Sequence, residues 1–282
     1  MKEGAILEIA LLSASDQVID TSRNGESDGY LRLDHVYAEG DYVQVEFERQ
    51  LLPSFFWVQV DAALVPSLLY FTQSTWHYVI PTDELAVTHP EHESIYPETA
   101  FTGKTHLIRI WKPDASEVSE ERNVAFNSHD QAVHSGAYPH ASANIETRHD
   151  PTFAARNAID GYRLNDHHGK FPYQSWGINQ DPTARFTLKF GRPIKLTRLA
   201  ITLRADFPHD SYWTQGTLRL SDGSQMLLHF TKTDQRQMFD INKEGISELQ
   251  LSDLIKADDD SPFPALIEIE AYGCELVEEI AN

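Results

Sequence analysis

The stretch RFTLKFGRPIKLTRLAITLR, residues 185–204, decides the fold class of this chain. Apolar and polar residues alternate from Arg185 to Phe190, and a longer strand pattern runs from Lys195 to Arg204. Successive side chains of a β-strand point to opposite faces of a sheet, so this period of two predicts strands rather than helices. We therefore predict a pair of strands at the centre of a β-sheet domain.

The alternation continues on the C-terminal side of this pair. Thr217–Leu220 and Met226–Phe230 flank the sequence SDGS, whose Asp222-Gly223 pair is typical of a β-hairpin turn. Many short strands without intervening helices favour a sandwich or a jelly roll. Further strands are predicted at 237–241, 248–251 and 265–272.

The first 111 residues show the same period of two in short segments that are separated by turn-rich pieces such as SRNGESDG and AEGD. None of them carries a helical apolar stripe over several turns, so this half is also predicted to be all-β. The predicted strands are 5–12, 30–33, 42–47, 56–60, 68–71, 77–80 and 106–111.

The sequence KPDASEVSEER, residues 112–122, divides the two halves. It is polar and acidic and has almost no large apolar group, so it cannot form a core by itself. We predict an acidic linker here, with a short acidic surface helix over the same residues as the alternative. The predicted architecture is all-β, with two jelly-roll-like β-sandwich domains in tandem over residues 1–111 and 123–282.

The composition excludes several kinds of partner. The chain has 282 residues and a formal net charge of −20, so it should repel nucleic acid and anionic membrane surfaces. Its single cysteine, Cys274, excludes an intrachain disulfide. No signal peptide and no apolar stretch of about 20 residues is visible, which predicts a cytoplasmic protein, or an extracellular one if a signal was removed.

The second half contains six motifs in this order: RNVAFN (122–127), FAARNAIDG (153–161), QSWG (174–177), the strand pair at 185–206, LRLSDGS (218–224) and IEIEAYG (267–273). Together they resemble the discoidin or F5/8 type C family. The resemblance covers about 150 residues of the chain, and it implies a galactose-binding-like sandwich that binds a ligand through loops at one end, often beside a structural calcium ion. The missing cysteine pair and the absence of recognisable lipid-binding spikes favour the sugar-binding branch.

Histidines and aromatic residues between the strands suit a saccharide, because its C–H faces pack on rings and its hydroxyls need paired donors and acceptors. The segment RADFPHDSYW, residues 204–213, is the richest of these loops. Two alternatives remain open there: Trp213 can be a core residue, and Arg204 and Asp206 can form a structural ion pair. The predicted ligand contacts are His140, Asn144, His168, Arg204, Asp206, His209 and Trp213.

A calcium site is predicted at the Asp160-Gly161 turn, with Glu270 of the last strand as the second carboxylate. The turn supplies a hard oxygen ligand, and the resemblance implies a calcium ion in this neighbourhood. The alternative is that Asp160 only caps its own turn. No other cofactor is expected.

The predicted function is therefore non-catalytic carbohydrate binding through loops of the second domain. The chain has no zinc-type ligand pair, no G-x-S-x-G elbow and no phosphate-binding glycine loop, so it is not predicted to be an enzyme. Two alternatives stay open. One is a carbohydrate-active enzyme, a glycoside hydrolase or lyase in which the discoidin-like domain is accessory, and the other is a protein-interaction domain.

Overall fold

The computed structural model describes residues 7–23, 28–85, 93–204 and 211–276, and over these ranges the chain is almost entirely β-structure, as predicted. Among the described residues the single α-helix is the short α1 (Ala115–Ser119). No described helix has the length and apolarity that crossing a bilayer would require. The chain forms two compact units, which are not simply its two halves.

The first unit consists of Met1–Pro113 together with Asn127–Tyr138 and Lys170–Pro172. The second consists of Asp114–Phe126, Pro139–Gly169 and Tyr173–Asn282. Two pieces of the predicted second domain, residues 123–282, thus belong to the first unit. Residues 114–122 of the predicted linker belong to the second unit, and its helix α1 begins with a capping box between Asp114 and Glu117.

The first unit is a β-sandwich of a four-stranded and a five-stranded sheet. The strand orders are β2-β1-β4-β7 and β10-β6-β5-β8-β3, and all described pairings are antiparallel. Its strands are β1 (Leu7–Leu12), β2 (Val18–Arg23), β3 (Asp28–Asp34), β4 (Tyr42–Phe47), β5 (Ser54–Gln59), β6 (Ser67–Phe71), β7 (Thr75–Val79), β8 (Thr105–Trp111) and β10 (Ala137–Tyr138).

Alternation explains why these residues form a sandwich. In β3 the residues Leu31 and Leu33 are buried while their neighbours are exposed, and β4, β6, β7 and β8 also alternate. The inward residues of both sheets join in one core that includes Phe47, Phe56 and Trp76. One apolar face per sheet is what a two-layer sandwich requires.

The second unit is built around one large antiparallel sheet with the order β12-β17-β13-β16-β14-β15, to which β11 and β9 are added through β13 and β17. Its core includes Trp176, Phe186 and Trp213, all fully buried. The strands are β9 (Arg122–Asn123), β11 (His140–Ala143), β12 (Trp176–Gly177), β13 (Phe186–Leu203), β14 (Trp213–Leu220), β15 (Gln225–His229), β16 (Gln237–Lys256) and β17 (Ala265–Glu275).

Long strands that bend replace several of the predicted short ones. The pair predicted within 185–204 is a single 18-residue strand, β13, whose register with β16 shifts between Lys189 and Ile194. Such irregularities bend a strand without ending it. Between β11 and β12 the chain instead makes three 3₁₀ turns, at Thr147–His149, Pro151–Phe153 and Ala155–Ile159.

Candidate functional site

A cleft of about 280 Å³ lies among the loops of the second unit. We call it the loop cleft. It is formed by the 3₁₀ turns after β11, the segment before β12 that contains His168, the loop after β12, the end of β13 and the segment before β17, so five separate pieces of chain converge on it. Its described lining residues are Thr147, Arg148, Phe153, His168, Gly177, Ile178, Asn179, Gln180, Arg204, Pro262, Phe263, Pro264 and Ala265.

One wall of the loop cleft is a close contact between two loops. The Oγ1 atom of Thr147 accepts a hydrogen bond of 2.9 Å from the backbone N–H of Asn179. A Cβ atom added to Gly177 would stand 2.6 Å from the same Oγ1 and 3.3 Å from Cβ of Phe153. Only glycine therefore allows the two loops to approach this closely.

Both of these loops contain non-glycine residues in the left-handed backbone conformation. Arg148 and His149 have φ values of 58° and 54°, and Asn179 and Gln180 have values of 50° and 60°. This conformation is uncommon for residues with a side chain and tends to cluster at functional sites. Three of the four line the loop cleft, so the strained backbone lies at the cleft wall.

The Arg148 guanidinium is held at the cleft by two neighbours. Its Cζ atom lies 5.4 Å from the ring centroid of Phe153, which is a cation–π distance. Its Nη2 atom is 3.6 Å from Asp150, whose carboxylate also accepts from the N–H and the hydroxyl of Thr152. The Arg148 side chain remains 68% exposed, so it can donate to a ligand.

Arg204, which also lines the cleft, holds the backbone of the segment around Phe263. Its guanidinium donates to the carbonyl oxygen of Phe263, and its backbone N–H donates to the carbonyl of Ala265 at 3.0 Å. Phe263 is 39% exposed, and it stands between Pro262 and Pro264, which limit the backbone freedom of the segment. The buried arginine thus holds the backbone of a partly exposed phenylalanine that lines the cleft.

The structure brings two of the predicted contact residues into the loop cleft, His168 and Arg204. His140 is only 6% exposed, lies on β11 opposite Lys189, and does not line the cleft. Asn144 uses its amide to close a turn: its Oδ1 accepts from the N–H of Arg185, and its Nδ2 donates to the carbonyl of Thr183. Asn144 therefore holds a loop in place at a distance from the described lining.

The predicted stacking role of Trp213 is not compatible with its burial. Trp213 is 0% exposed and packs in the core with its ring centroid 6.2 Å from that of Trp176. A ligand cannot reach a ring in this position, so the alternative of a core residue is the one the structure supports. Asp206 and His209 lie outside the described residues.

The aromatic ring and several polar groups of the cleft were not predicted from the sequence. Phe263 and Arg148 are the principal ones, with Asn179 and Gln180 beside them. A phenylalanine between two prolines, directly after the acidic run DDDS, was a usable signal for an exposed, rigid ring. No sequence pattern indicated the left-handed pairs, because neither contains glycine.

A second polar cluster surrounds the Asp160-Gly161 turn. The Asp160 carboxylate accepts from the N–H of Tyr162 at 2.9 Å and from Nε2 of Gln174 at 2.7 Å. The backbone N–H of Gly161 donates to Oε2 of Glu268 at 3.3 Å. Asp160 thus caps its own turn, and the turn is also tied to the last strand, through Glu268.

Burial dominates the electrostatics of these two acids. It raises the pKa of Asp160 to about 8, against an ordinary 3.8, because the charged form loses its hydration. Burial also raises the pKa of Glu268 well above its usual range, and the nearby charge of Asp160 adds to the effect. The Oε1 atoms of Glu268 and Gln174 are both enclosed without a hydrogen-bond partner.

Glu270, the predicted second metal ligand, is engaged by other groups. Its carboxylate pairs with Arg163 at 3.1 Å and Arg236 at 3.2 Å, and it accepts from the Tyr272 hydroxyl at 2.8 Å. Two guanidinium groups already neutralise this acid, which leaves little reason for it to bind a cation. Glu268, two residues earlier on β17, is the carboxylate that contacts the turn.

The donor set at the turn fits a hard cation better with Glu268 than with Glu270. Asp160, Glu268 and the amide oxygen of Gln174 are all oxygen ligands of the type that calcium prefers, and two of these groups have an orphaned oxygen. The described residues contain no group of three or more histidine, cysteine, aspartate or glutamate side chains arranged to hold a metal. A metal here would thus need the amide and backbone oxygens as well.

No protein-family model matches the chain, and no curated protein matches it. Solved structures do match. A fucose-binding module from Streptococcus pneumoniae has 13% identity and a TM-score of 0.39, and the match covers 54% of this chain and 97% of that one. A variant of the lectin domain of lectinolysin, complexed with Lewis b, has 14% identity and a TM-score of 0.41, with coverage of 56% and 99%.

A third match is the family 32 carbohydrate-binding module of C. perfringens NanJ in complex with galactose. It has 17% identity and a TM-score of 0.35, and the match covers 47% of this chain and 91% of that one. The sugars in these complexes are ligands of those proteins. These three matches cover about half of this chain and at least 91% of each module.

Proposed function

We propose that this protein binds a carbohydrate without transforming it, and that the loop cleft of the second unit is the binding site. The observation that carries the proposal is the lining of the cleft, where an exposed ring faces donors and acceptors of several kinds. Small-ligand sites have this composition, a largely apolar surface with a few well-placed polar groups.

Phe263 supplies the apolar surface of the proposed site. Its ring is exposed at the rim, while the hydrogen bond from Arg204 and the flanking prolines hold its backbone in place. A residue whose backbone is already held loses less conformational entropy when a ligand packs on its ring. The C–H face of a pyranose is a suitable partner for such a ring.

The polar groups around the ring suit hydroxyls. Arg148 and His168 can donate, and the side-chain amides of Asn179 and Gln180 can both donate and accept. Neighbouring sugar hydroxyls demand this mixture, since each is both a donor and an acceptor. The described lining contains no carboxylate, whereas a glycoside hydrolase site is built on a pair of them. The cleft therefore favours binding over hydrolysis.

The calcium ion belongs to the same proposal, at the Asp160-Gly161 turn. Asp160, Glu268 and Gln174 would hold it, and the ion would supply the positive charge that allows two buried carboxylates to ionise together. Its role would be structural, because it would tie the turn to β17. Nothing in the loop cleft requires it for contact with a sugar.

A glycan-array screen of the purified chain tests the proposal. We expect binding to a defined set of glycans that Phe263→Ala and Arg148→Ala each weaken at least tenfold. Leu227→Ala, an exposed apolar residue of β15 away from the cleft, is the matched control and should bind like the wild type. Each variant must first show a cooperative thermal transition.

Two results would contradict the proposal. One is that no glycan is bound, either with calcium or with a chelator present. The other is that a bound glycan is unaffected by both cleft variants. Binding that is kept in chelator but accompanied by a lower melting temperature would separate the structural ion from the sugar site.

A further inference from the structure

The outer face of the five-stranded sheet of the first unit carries a row of aromatic residues. In β5 the side chains of Phe56 and Val58 are fully buried, so Trp57 between them points outward. In β8 the buried residues are Ile108 and Ile110, which places Arg109 and Trp111 on the same outer face. Tyr30 of β3 joins them and is 40% exposed.

These four side chains form one stacked row across three strands, which we call the aromatic ladder. The rings of Trp57 and Trp111 are directly opposite in the register, with centroids 5.9 Å apart and planes 16° apart. The Cζ atom of Arg109 lies 4.0 Å from the centroid of Trp111 and 5.5 Å from that of Tyr30. Stacking on both sides therefore fixes the guanidinium.

The aromatic surface continues beyond the ladder on the same sheet. Phe55 of β5 and Tyr70 of β6 are paired in the register, with ring centroids 5.0 Å apart, and Tyr138 of β10 is opposite Tyr70. Five strands spaced about 4.8 Å apart give this face a width of roughly 19 Å. An extended ligand could thus contact several rings at once.

Arg109 indicates what kind of ligand this face can accept. Acidic residues outnumber basic ones in the chain, 43 to 23, yet the Arg109 guanidinium forms no ion pair and no hydrogen bond with any described residue. Its Nε atom is enclosed between neighbours without a partner. A purely apolar partner would bury this charge unpaired at a high cost, so the ligand must bring oxygen acceptors.

The negative charge of the chain limits which ligands can supply these oxygen acceptors. Nucleic acid also stacks on aromatic rings, but its phosphates would be repelled by a chain of net charge −20 and by Asp28, which is opposite Trp111 in the register. A second copy of the chain would carry the same negative charge. A neutral glycan offers both C–H faces and hydroxyl oxygens without this repulsion.

We propose that the aromatic ladder is a second carbohydrate-binding surface, which binds an extended neutral polysaccharide chain across the strands. Trp57, Trp111 and Tyr30 supply the contact surface, and Arg109 donates to ring or hydroxyl oxygens. This surface is separate from the loop cleft and does not depend on the function proposed for it.

Affinity electrophoresis of the full chain tests the proposal, in gels that contain xylan, galactomannan or hydroxyethylcellulose. We expect at least one of these polysaccharides to retard the wild type. Tyr30→Ala and Arg109→Gln should raise the polysaccharide concentration for half-retardation at least fivefold. Leu227→Ala, an exposed residue of β15 that belongs to neither the aromatic ladder nor the loop cleft, should leave this retardation unchanged.

Tyr42→Ala is the matched control, because Tyr42 lies on β4 of the other sheet of the same unit, where its ring contacts His77. It should be retarded like the wild type. Absence of retardation by all three polysaccharides, or equal retardation of wild type and ladder variants, would overturn the proposal. Sedimentation showing a dimer that Arg109→Gln dissociates would overturn it too, since the face would then bind a second copy.

Discussion

Replacement of Gly177 by alanine should destabilise the second unit by forcing apart the two loops that form the cleft wall. The new Cβ atom would lie 2.6 Å from Oγ1 of Thr147, which itself is held by the N–H of Asn179 at 2.9 Å. Ordinary contact would need a movement of most of an ångström. Overpacking of this kind costs about 1–3 kcal/mol, so we expect a loss of about 2 kcal/mol.

The cause of this loss can be isolated by a double-mutant cycle with Thr147→Ala. That change alone should cost about 1 kcal/mol, the usual net value of one hydrogen bond. Because it also removes the clashing atom, Gly177→Ala in the Thr147→Ala background should cost less than about 1 kcal/mol. Thr147→Ser keeps the hydroxyl and is the matched control, in which the full cost of the alanine should remain.

Urea denaturation followed by tryptophan fluorescence measures these free energies, and glycan binding measures the effect on the cleft. A loss of about 2 kcal/mol corresponds to a melting temperature roughly 4–8 °C lower in a unit of this size. The same penalty in both Thr147 backgrounds would refute the steric argument. Unchanged stability of Gly177→Ala would show that the loops are not in close contact in solution.

Three further predictions concern the second unit. Trp213→Ala should cost about 3–5 kcal/mol, because it empties a fully buried site beside Trp176, whereas Trp213→Phe should cost less; chemical denaturation of both variants checks this. The unfolding free energy should fall as pH rises from about 4 to about 8, since folded Asp160, with a pKa of about 8, keeps a proton that the unfolded chain loses above 3.8. Asp160→Asn should flatten this dependence in calorimetric melts between these pH values. Added calcium should raise the melting temperature more at pH 8 than at pH 5, because it binds the ionised carboxylates, and an equal effect at both values would count against the proposed ion site.

The strands of the first unit could be predicted closely, because most of them bury one face only and their sequences alternate accordingly. All seven predicted segments there contain or overlap a strand of the structure. Two strands escaped prediction for physical reasons. In β2 the residues Val18–Arg23 are mostly exposed, and the two residues of β10 pair with β6 from a distant part of the chain.

In the second unit the Asp222-Gly223 hairpin was predicted and is confirmed by the pairing of β14 with β15. The predicted breaks in β13 and β16 were wrong, because the chain passes through irregular residues without leaving the sheet. In β16 these are Asn242 and Gly245, with φ values of 52° and 77°. The local sequence shows that a residue favours a turn, but hydrogen bonding to the neighbouring strands decides whether the strand continues.

The site was harder to predict than the fold. His168 and Arg204 were found because they stand at loops or strand ends. Trp213 was misplaced because a period of two does not say which face is the core when an aromatic residue begins a strand. Glu268 and Glu270 are two residues apart on β17 and so lie on the same face of the sheet. The sequence could not tell which of them is neutralised, because that depends on where the fold places Arg163 and Arg236.

The recruitment of Asn127–Tyr138 and Lys170–Pro172 into the first unit has a consequence for synthesis on the ribosome. Domains that are contiguous in sequence can fold one after another as the chain emerges. Here the first unit can add its edge strand β10 only after residue 138 has left the exit tunnel of the ribosome. By then residues 114–126 of the second unit have already emerged. A fragment that stops before residue 127 should therefore expose the open edge of β6 and aggregate, whereas the complete chain covers that edge with β10.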